Sequence, residues 1–250
     1  MNLKSLLNYT LRIADTSLIL GQRMSEWCSK GPTLEEDIAL SNISLDLFGQ
    51  ANGFYEYAAK LDGSKSPDDL AFKRNEREFF NHQLSEQENG NFGRTTVRNF
   101  LHDAFSLLFY TELTSSKDET FAALAAKSLK EVKYHFRHSS NWLVRLGDGT
   151  KESNSKVQEA LNSLWQYTGE LFEMDQIDNE MLEKGIGVDN FQLKDQWDKL
   201  IDSTLTKAKL KRPLDGYMAT GSKKGIHTEH LGFLLAEMQF LPRAYPNAKW

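Results

Sequence analysis

Long segments with apolar residues at helical spacing constrain the fold of this chain more than any other feature. At the start of the chain, apolar residues recur every three or four positions, at Leu3, Leu6, Leu7, Leu11, Ala14 and Leu18. Only five of the 250 residues are proline, so little interrupts a helix. No segment alternates apolar and polar residues between hairpin turns, as a β-strand would. The sequence therefore predicts an all-α fold.

The longest helical patterns come in two pairs, and the members of each pair are separated by a short polar loop. They are predicted at about 3–28 and 34–61, and at about 94–115 and 119–146. Short loops make neighbouring helices antiparallel, and a longer crossover between two such hairpins is typical of the ferritin-like four-helix bundle. We therefore predict a ferritin-like bundle whose core hairpins cover residues 3–61 and 94–146.

The remaining patterns predict shorter helices that are added to the bundle. One is expected in the crossover at about 71–87, and the others at about 153–173, 193–209 and 227–241. The segments between them are short and polar, and no internal repeat divides the sequence. We therefore expect one ferritin-like domain over residues 1–250.

Charge and cysteine content narrow the range of functions. The formal net charge is −5, which makes a broad nucleic-acid-binding face unexpected. The single cysteine, Cys28, excludes an internal disulfide and a thiolate metal cluster. The N-terminal segment lacks a signal-peptide pattern, and no stretch approaches the roughly 20 apolar residues of a membrane span. We expect a cytoplasmic protein that contacts neither membrane nor nucleic acid.

Four acidic residues fall where a di-metal helix bundle would need them. Counting equal distances from each hairpin turn brings Asp15 level with Asp46, and Asp103 level with Glu131, because antiparallel helices rise equally. In di-iron carboxylate bundles, two helices each supply one carboxylate and the other two each supply Glu-x-x-His. The acidic half of such a site is therefore present in this sequence.

The histidines of such a site are missing. Gly49 stands three residues after Asp46, and Tyr134 stands three residues after Glu131. His135 is offset by one residue, which rotates it by about 100° around the helix. We therefore expect a degenerate site at Asp15, Asp46, Gly49, Asp103, Glu131 and Tyr134 that holds no metal.

Two alternatives to a degenerate site stay open. The four acids could be polar positions on helices that face different ways, or His135 or His138 could complete a working site with Asp103 and Glu131. If the acids are buried without metal, they need partners among Lys, Arg, Tyr or His, because buried carboxylates repel one another and lose their hydration.

A basic loop precedes the last predicted helix. Lys223 and Lys224 lie between two glycines there and could contact an anion or an acidic partner, although a solvated loop is the simpler explanation. Further along, His227, His230 and Glu237 lack a fourth ligand, so we expect no metal. We find no catalytic or cofactor-binding residue, because the chain has neither a glycine-rich phosphate motif nor a nucleophile elbow.

Long ungapped stretches of the sequence resemble one known family. They include YTLRIADTSLILGQRMSEWC, LEEDIALSNISLDLFGQA, EQENGNFGRTTVRNF, KEVKYHFRHSSNWLVRLGDGT, LWQYTGELFEMDQID and GSKKGIHTEHLGFLLAEMQFLPR. The sequence is similar, over essentially its whole length, to the structural subunit of the bacterial phenylacetyl-CoA epoxidase, also called phenylacetyl-CoA oxygenase. Members of that family act in aerobic phenylacetate catabolism.

This resemblance implies a ferritin-like, non-catalytic subunit of a multicomponent monooxygenase. It implies a homologous catalytic subunit that carries the di-iron site and epoxidises the ring of phenylacetyl-CoA, so that this chain meets the CoA ester only indirectly. It also implies a reductase that delivers electrons from NADPH through flavin and an iron–sulfur cluster. By this resemblance the chain itself binds no cofactor. A catalytically active di-metal oxidase with shifted ligands and a helical scaffold unrelated to oxygenases remain the alternatives.

Overall fold

The computed structural model describes residues 2–246 and 248, and every regular element in these residues is helical. The α-helices, in chain order, are α1 (Leu3–Ser25), α2 (Leu34–Asp62), α3 (Pro67–Phe72), α4 (Gln83–Glu86), α5 (Phe92–Leu113), α6 (Glu119–Gly147), α7 (Lys151–Leu164), α8 (Gln176–Glu183), α9 (Asn190–Lys207), α10 (Glu229–Met238) and α11 (Phe240–Ala244). The prediction of an all-α, ferritin-like fold is confirmed. No helix in the described part of the chain has an apolar stretch long enough to cross a membrane.

The four long helices lie where the sequence predicts them, within a few residues at each end. The caps explain where they begin: the Asn2 side chain accepts from the backbone at the start of α1, Thr33 does so for α2, Asn91 for α5 and Asp118 for α6. Each cap satisfies an amide that the first helical turn leaves without a partner. The predicted helix over 193–209 is also confirmed, as α9.

Several of the shorter predicted helices are wrong in extent. The helix expected over 71–87 is two short helices, α3 and α4, with a mainly irregular segment between them. Ser66 and Asp69 form a capping box that starts α3 before the predicted position. The helix expected over 153–173 ends at Leu164 and continues as 3₁₀ turns, and the one over 227–241 is divided into α10 and α11. The sequence analysis missed α8, which Asp175 caps.

The described residues group into two compact units. The terminal unit contains the residues up to Glu88 together with those from Gly221 onward, and the central unit is Asn89–Thr220. A single domain over residues 1–250 therefore stays a prediction, and each unit is described by itself below.

The terminal unit is built on the antiparallel hairpin of α1 and α2. Its fully buried apolar side chains include Leu6, Ile19, Leu20, Met24, Leu40, Phe54, Leu70 and Phe79. Within the hairpin, the Ser44 hydroxyl donates to the Gly21 carbonyl at 2.8 Å. The C-terminal helices join this unit through Gln239, whose side chain donates to the Arg74 carbonyl at 3.0 Å. Residues from both ends of the sequence therefore share one core.

The central unit is built on the antiparallel hairpin of α5 and α6, against which α7 and α9 pack. Its centre is Trp197, which is fully buried and donates its indole N–H to the Leu101 carbonyl at 3.1 Å. The Trp197 ring lies 5.7 Å from the Trp165 ring and 5.3 Å from the Phe172 ring. Burial with a satisfied N–H is what a tryptophan in a core requires.

Gly225 is a position at which the fold of the terminal unit demands glycine. Its φ angle is +70°, and a Cβ atom added there would lie 2.1 Å from the Arg77 carbonyl oxygen. Both the positive φ and the close approach exclude a side chain. The basic loop is therefore seated directly on the backbone of the crossover segment.

We expect Gly225→Ala to lower the free energy of unfolding by about 2 kcal/mol or more, because the backbone must move away from Arg77. Gly49→Ala is the matched control in the same unit, since a Cβ atom at Gly49 meets nothing within 4 Å and alanine favours helix by about 1 kcal/mol. Chemical denaturation of both variants tests this. Equal stability of the two variants would contradict the seating of the loop.

Candidate functional site

The Asp15 carboxylate on α1 of the terminal unit is fully buried. Its Oδ1 atom accepts from the Tyr55 hydroxyl at 2.6 Å and from Nη2 of Arg74. Its Oδ2 atom accepts from Nη1 of Arg74 at 3.1 Å and from the Phe80 backbone N–H at 2.9 Å. An ionised carboxylate has about four acceptor positions, so this one is fully occupied. We call these four residues the Asp15 cluster.

Arg74 is held by contacts that fix its plane as well as its charge. Its Nε atom donates to the Leu70 carbonyl, and Nη1 donates to the Glu78 carbonyl at 2.6 Å. The guanidinium also lies 4.1 Å from the centroid of the Phe79 ring. A planar guanidinium that pairs a carboxylate with two nitrogens and stacks on an aromatic ring is a role that lysine could not fill.

The protonation states of the cluster follow from burial and from these neighbours. Burial raises the pKa of Tyr55 well above its usual value, and the Asp15 charge raises it further. For Arg74, burial lowers the pKa, but the charge of Asp15 and its hydrogen bonds outweigh this effect and the net shift is upward. At neutral pH the cluster therefore contains a neutral phenol, a cationic guanidinium and the carboxylate that balances it.

The Asp15 cluster does not fit a metal ion. The carboxylate has no acceptor position left for one, and the Arg74 guanidinium puts a positive charge against both oxygens. Asp46 is half-buried on α2, and Gly49 is exposed with open space around it. The side chain of a histidine placed at position 49 would therefore leave α2 on its exposed side. In this unit, protein donors fill the four acceptor positions of Asp15 that a metal ion would otherwise need.

The predicted site residues of the central unit have other surroundings. Asp103 is buried, and its Oδ2 atom accepts from the Ser139 hydroxyl at 2.8 Å. The Oδ1 atom lies 3.9 Å from Nδ1 of His102. Glu131 is half-buried, while the Tyr134 side chain is exposed and His135 is buried. His135 therefore lies on the buried face of α6, whereas Tyr134 lies on the exposed face.

Within the described residues, no group of three or more His, Cys, Asp and Glu side chains could hold a metal ion. This finding includes the alternative of His135 or His138 joined to Asp103 and Glu131. It also includes His227, His230 and Glu237.

In both hairpins, the observed side-chain partner lies farther from the turn than the residue that the level count selects. Asp15 contacts Tyr55, more than two helical turns beyond Asp46, and Asp103 contacts Ser139, about two turns beyond Glu131. Helical side chains lean toward the N-terminus of their own helix. On the first helix of a hairpin they lean away from the turn, and on the second they lean toward it. This lean has the observed direction, but it shifts a contact by only about one position on each helix, so it accounts for a small part of the displacement.

A second buried acid, Glu86, is one that the sequence analysis missed. Its Oε1 atom accepts from the backbone N–H and the hydroxyl of Thr228 at 2.6 and 2.7 Å. Its Oε2 atom accepts from the Asn81 amide at 2.9 Å and lies 2.9 Å from Nδ1 of His227. The other ring nitrogen of His227 lies 2.8 Å from the Phe79 carbonyl oxygen. Because Phe79 offers only an acceptor, a proton must lie between His227 and Glu86.

The backbone of Glu86 extends this second cluster to α1. Nε of Arg23 donates to the Glu86 carbonyl at 3.0 Å, and Nη2 of Arg23 donates to the His230 carbonyl at 3.3 Å. These bonds join α1, α4 and the first turn of α10. Of these residues the sequence pointed to His227 and His230 alone, as weak metal candidates. Glu86 had no local signal, because its partners lie far away along the chain.

The basic loop has a definite conformation but no demonstrated ligand. Ser222–Lys224 is a single 3₁₀ turn between Gly221 and Gly225, both of which have positive φ angles. Lys223 is half-buried and Lys224 is exposed. Contact of these lysines with an anion or a partner stays a prediction.

Comparison with known proteins identifies relatives of this chain. The chain matches, over residues 1–250, the family described as phenylacetic acid catabolic protein. It is also 48% identical, over 242 residues, to a protein from Escherichia coli strain K12 that is named as one of the subunits of 1,2-phenylacetyl-CoA epoxidase. That alignment covers 97% of this chain and 98% of the relative.

The effects of removing the two charges of the Asp15 cluster should not be additive. We expect Asp15→Asn to lower the free energy of unfolding by about 3–5 kcal/mol, because it leaves Arg74 buried without its counter-charge. Adding Arg74→Met should give a double variant whose loss of unfolding free energy is about 1–3 kcal/mol smaller than the sum of the losses in the two single variants. Urea denaturation of the four proteins measures this coupling, and purely additive effects would contradict the ion pair.

Tyr55 should remain neutral at a pH where ordinary tyrosines ionise. Its pKa is raised in the folded state, so its contribution to stability is present below about pH 10 and is lost as pH rises toward the folded pKa. Ultraviolet titration of phenolate should give the same curve for native wild-type protein and Tyr55→Phe up to about pH 10. In urea the wild type should show one additional tyrosine. An additional native tyrosine with an ordinary midpoint would refute the prediction.

Proposed function

The chain belongs to the phenylacetic acid catabolic protein family, and on that premise we propose that it is the non-catalytic structural subunit of a phenylacetyl-CoA epoxidase. In this proposal it supports a homologous catalytic subunit that inserts oxygen into the ring of phenylacetyl-CoA. The relative from E. coli is named as one subunit of such an epoxidase, and the alignment covers nearly all of both chains. Because the relative is named as one subunit, its name also supports an assembly of several chains for this protein.

The Asp15 cluster is the observation that carries the non-catalytic part of the proposal. A ferritin-like bundle with a di-iron site keeps its inward carboxylates free to bind metal. Here Arg74, Tyr55 and the Phe80 amide occupy every acceptor position of Asp15. The same residues solve the problem of a buried carboxylate without metal, since a paired and hydrogen-bonded charge is tolerated in a core. This supports a structural role, because the chain itself stabilises the interior of the terminal unit.

The chemistry of the reaction then belongs to the other components. We propose that the catalytic subunit holds the di-iron centre, and that a reductase supplies electrons from NADPH through flavin and an iron–sulfur cluster. This chain binds none of these cofactors. Its contact with the CoA ester is through the catalytic subunit. A chain whose own buried acids are already neutralised can give a partner a rigid helical surface without competing for its iron.

Metal analysis of the separated subunits of the native complex tests the proposal. We expect about two irons per catalytic subunit and no stoichiometric iron in this chain, before and after exposure to ferrous iron without oxygen. As a control, Arg74→Met removes the competing cation while leaving Asp15 in place, and it should still not create a di-iron spectrum, because the histidines are absent.

Two results would overturn the proposal in different ways. About two irons in this chain, with turnover by this chain alone, would make it an active oxidase with shifted ligands. Failure to co-purify with any homologous di-iron subunit, when both are expressed together, would leave a helical scaffold unrelated to oxygenases.

A further inference from the structure

The exposed face of α6 in the central unit has a strongly basic character. The cations on it are Lys127, Lys130, Lys133, Arg137 and Arg145, and all five are exposed. At about 100° per residue, they fall within about 120° of the helix circumference. Between Thr120 and Gly147 the only acidic residue is Glu131, which is half-buried. We call this surface the α6 basic face.

The charges of the α6 basic face are not paired with carboxylates among the residues that the structure describes. In the described part of the structure, none of its five cations forms a salt bridge to a carboxylate. Lys133 and Arg137 are four residues apart, a spacing at which like charges destabilise a helix. The arrangement therefore has an electrostatic cost to folding that no salt bridge within the described residues offsets.

Other helices of the same unit arrange their surface cations differently. Lys156 pairs with Glu152 at 2.6 Å, and Lys194 pairs with Asp198 at 2.7 Å. In both cases the carboxylate is one helical turn away, which is the usual stabilising arrangement. Of the α6 cations, Lys130, Lys133 and Arg137 have no acidic residue three or four positions away along the helix, in a chain whose net charge is −5.

Aromatic rings lie among these cations. The Arg137 guanidinium is 5.5 Å from the centroid of the Tyr134 ring, and the Arg145 guanidinium is 5.3 Å from that of Trp142. These four residues line a surface groove of about 180 Å³. Stacking restricts each guanidinium while its N–H donors stay available. Arg, Tyr and Trp are also the residues that contribute most to protein–protein interfaces.

The dimensions of the face favour a protein over a small ligand. From Lys127 to Arg145 the helix extends about 27 Å, which is much longer than one phosphorylated metabolite. The groove is smaller than the roughly 300–1,000 Å³ of pockets that enclose such molecules. A nucleic-acid face would need a broader basic surface, which a chain of net charge −5 lacks.

We propose that the α6 basic face is the docking surface for an acidic face of another subunit of the epoxidase complex. This inference rests on the proposed function, and it adds the surface and the charge of the partner. Opposite charge steers association and fixes the register of the two surfaces. The guanidinium groups of Arg137 and Arg145, already oriented on rings, would pair with carboxylates of the partner.

The test compares two variants with equal loss of charge. The first carries Lys130→Gln, Lys133→Gln and Arg137→Gln on α6. The control carries Lys151→Gln, Lys199→Gln and Lys207→Gln, which are exposed lysines on α7 and α9 of the same unit. Circular dichroism and thermal unfolding establish that both are folded. Isothermal titration then measures the Kd of each for every other subunit of the complex, purified separately, at low and moderate salt.

For one of these subunits we expect the Kd to rise at least about tenfold in the α6 variant and to stay unchanged in the control. We also expect a weaker dependence of that Kd on salt, because fewer charges are paired across the interface. Wild-type binding with no difference between the α6 variant and wild type would overturn the inference, as would an equal loss in both variants.

Three further outcomes assign the face to something else and also overturn the inference. One is loss of CoA binding in the α6 variant with subunit affinities unchanged, which would indicate a phosphate ligand. Another is loss of self-association alone, which would indicate a second copy of this chain. The third is the absence of binding between the wild-type chain and any of the subunits, which would refute the proposed function itself.

Discussion

The structure of the terminal unit depends on one interaction, the pairing of the buried Asp15 carboxylate with Arg74. A charge in this position must be matched by donors, and α1 and α2 alone supply only the Tyr55 hydroxyl. The remaining donors come from the crossover, as the Arg74 side chain and the Phe80 amide. The amide of Phe80 is available because this segment is not helical there. The irregular crossover is therefore a consequence of the buried acid.

Glu86 shows that the same solution is used twice in this unit. Its oxygens take donors from Asn81, His227 and Thr228, so the segment before α10 closes over a second buried carboxylate. Both acids are satisfied by side chains and amides that are distant in sequence. A unit that satisfies its buried acids in this way needs no metal to balance them, and this is the physical basis of the proposed supporting role.

The candidate site could be predicted in part from the sequence. Helical periodicity places Asp15 and Asp103 on apolar stripes, and both are buried. Counting from the turns did not give their side-chain partners, which are Tyr55 and Ser139. The lean of side chains toward the helix N-terminus contributes about one position on each helix, and the rest depends on how the two helices pack. The requirement for partners among Lys, Arg, Tyr or His followed from electrostatics, but the identity of Arg74 did not.

Local spacing and direct similarity were sufficient to predict the all-α class, the four long helices and the family. The groups that neutralise Asp15 and Glu86 became visible only when distant segments were packed together. The break in the predicted helix over 71–87 and the close approach of Gly225 to Arg77 also depend on that packing. The physical reason is that a helix is stabilised by bonds between residues four apart, whereas a buried charge is stabilised by whichever donors the folded chain brings to it.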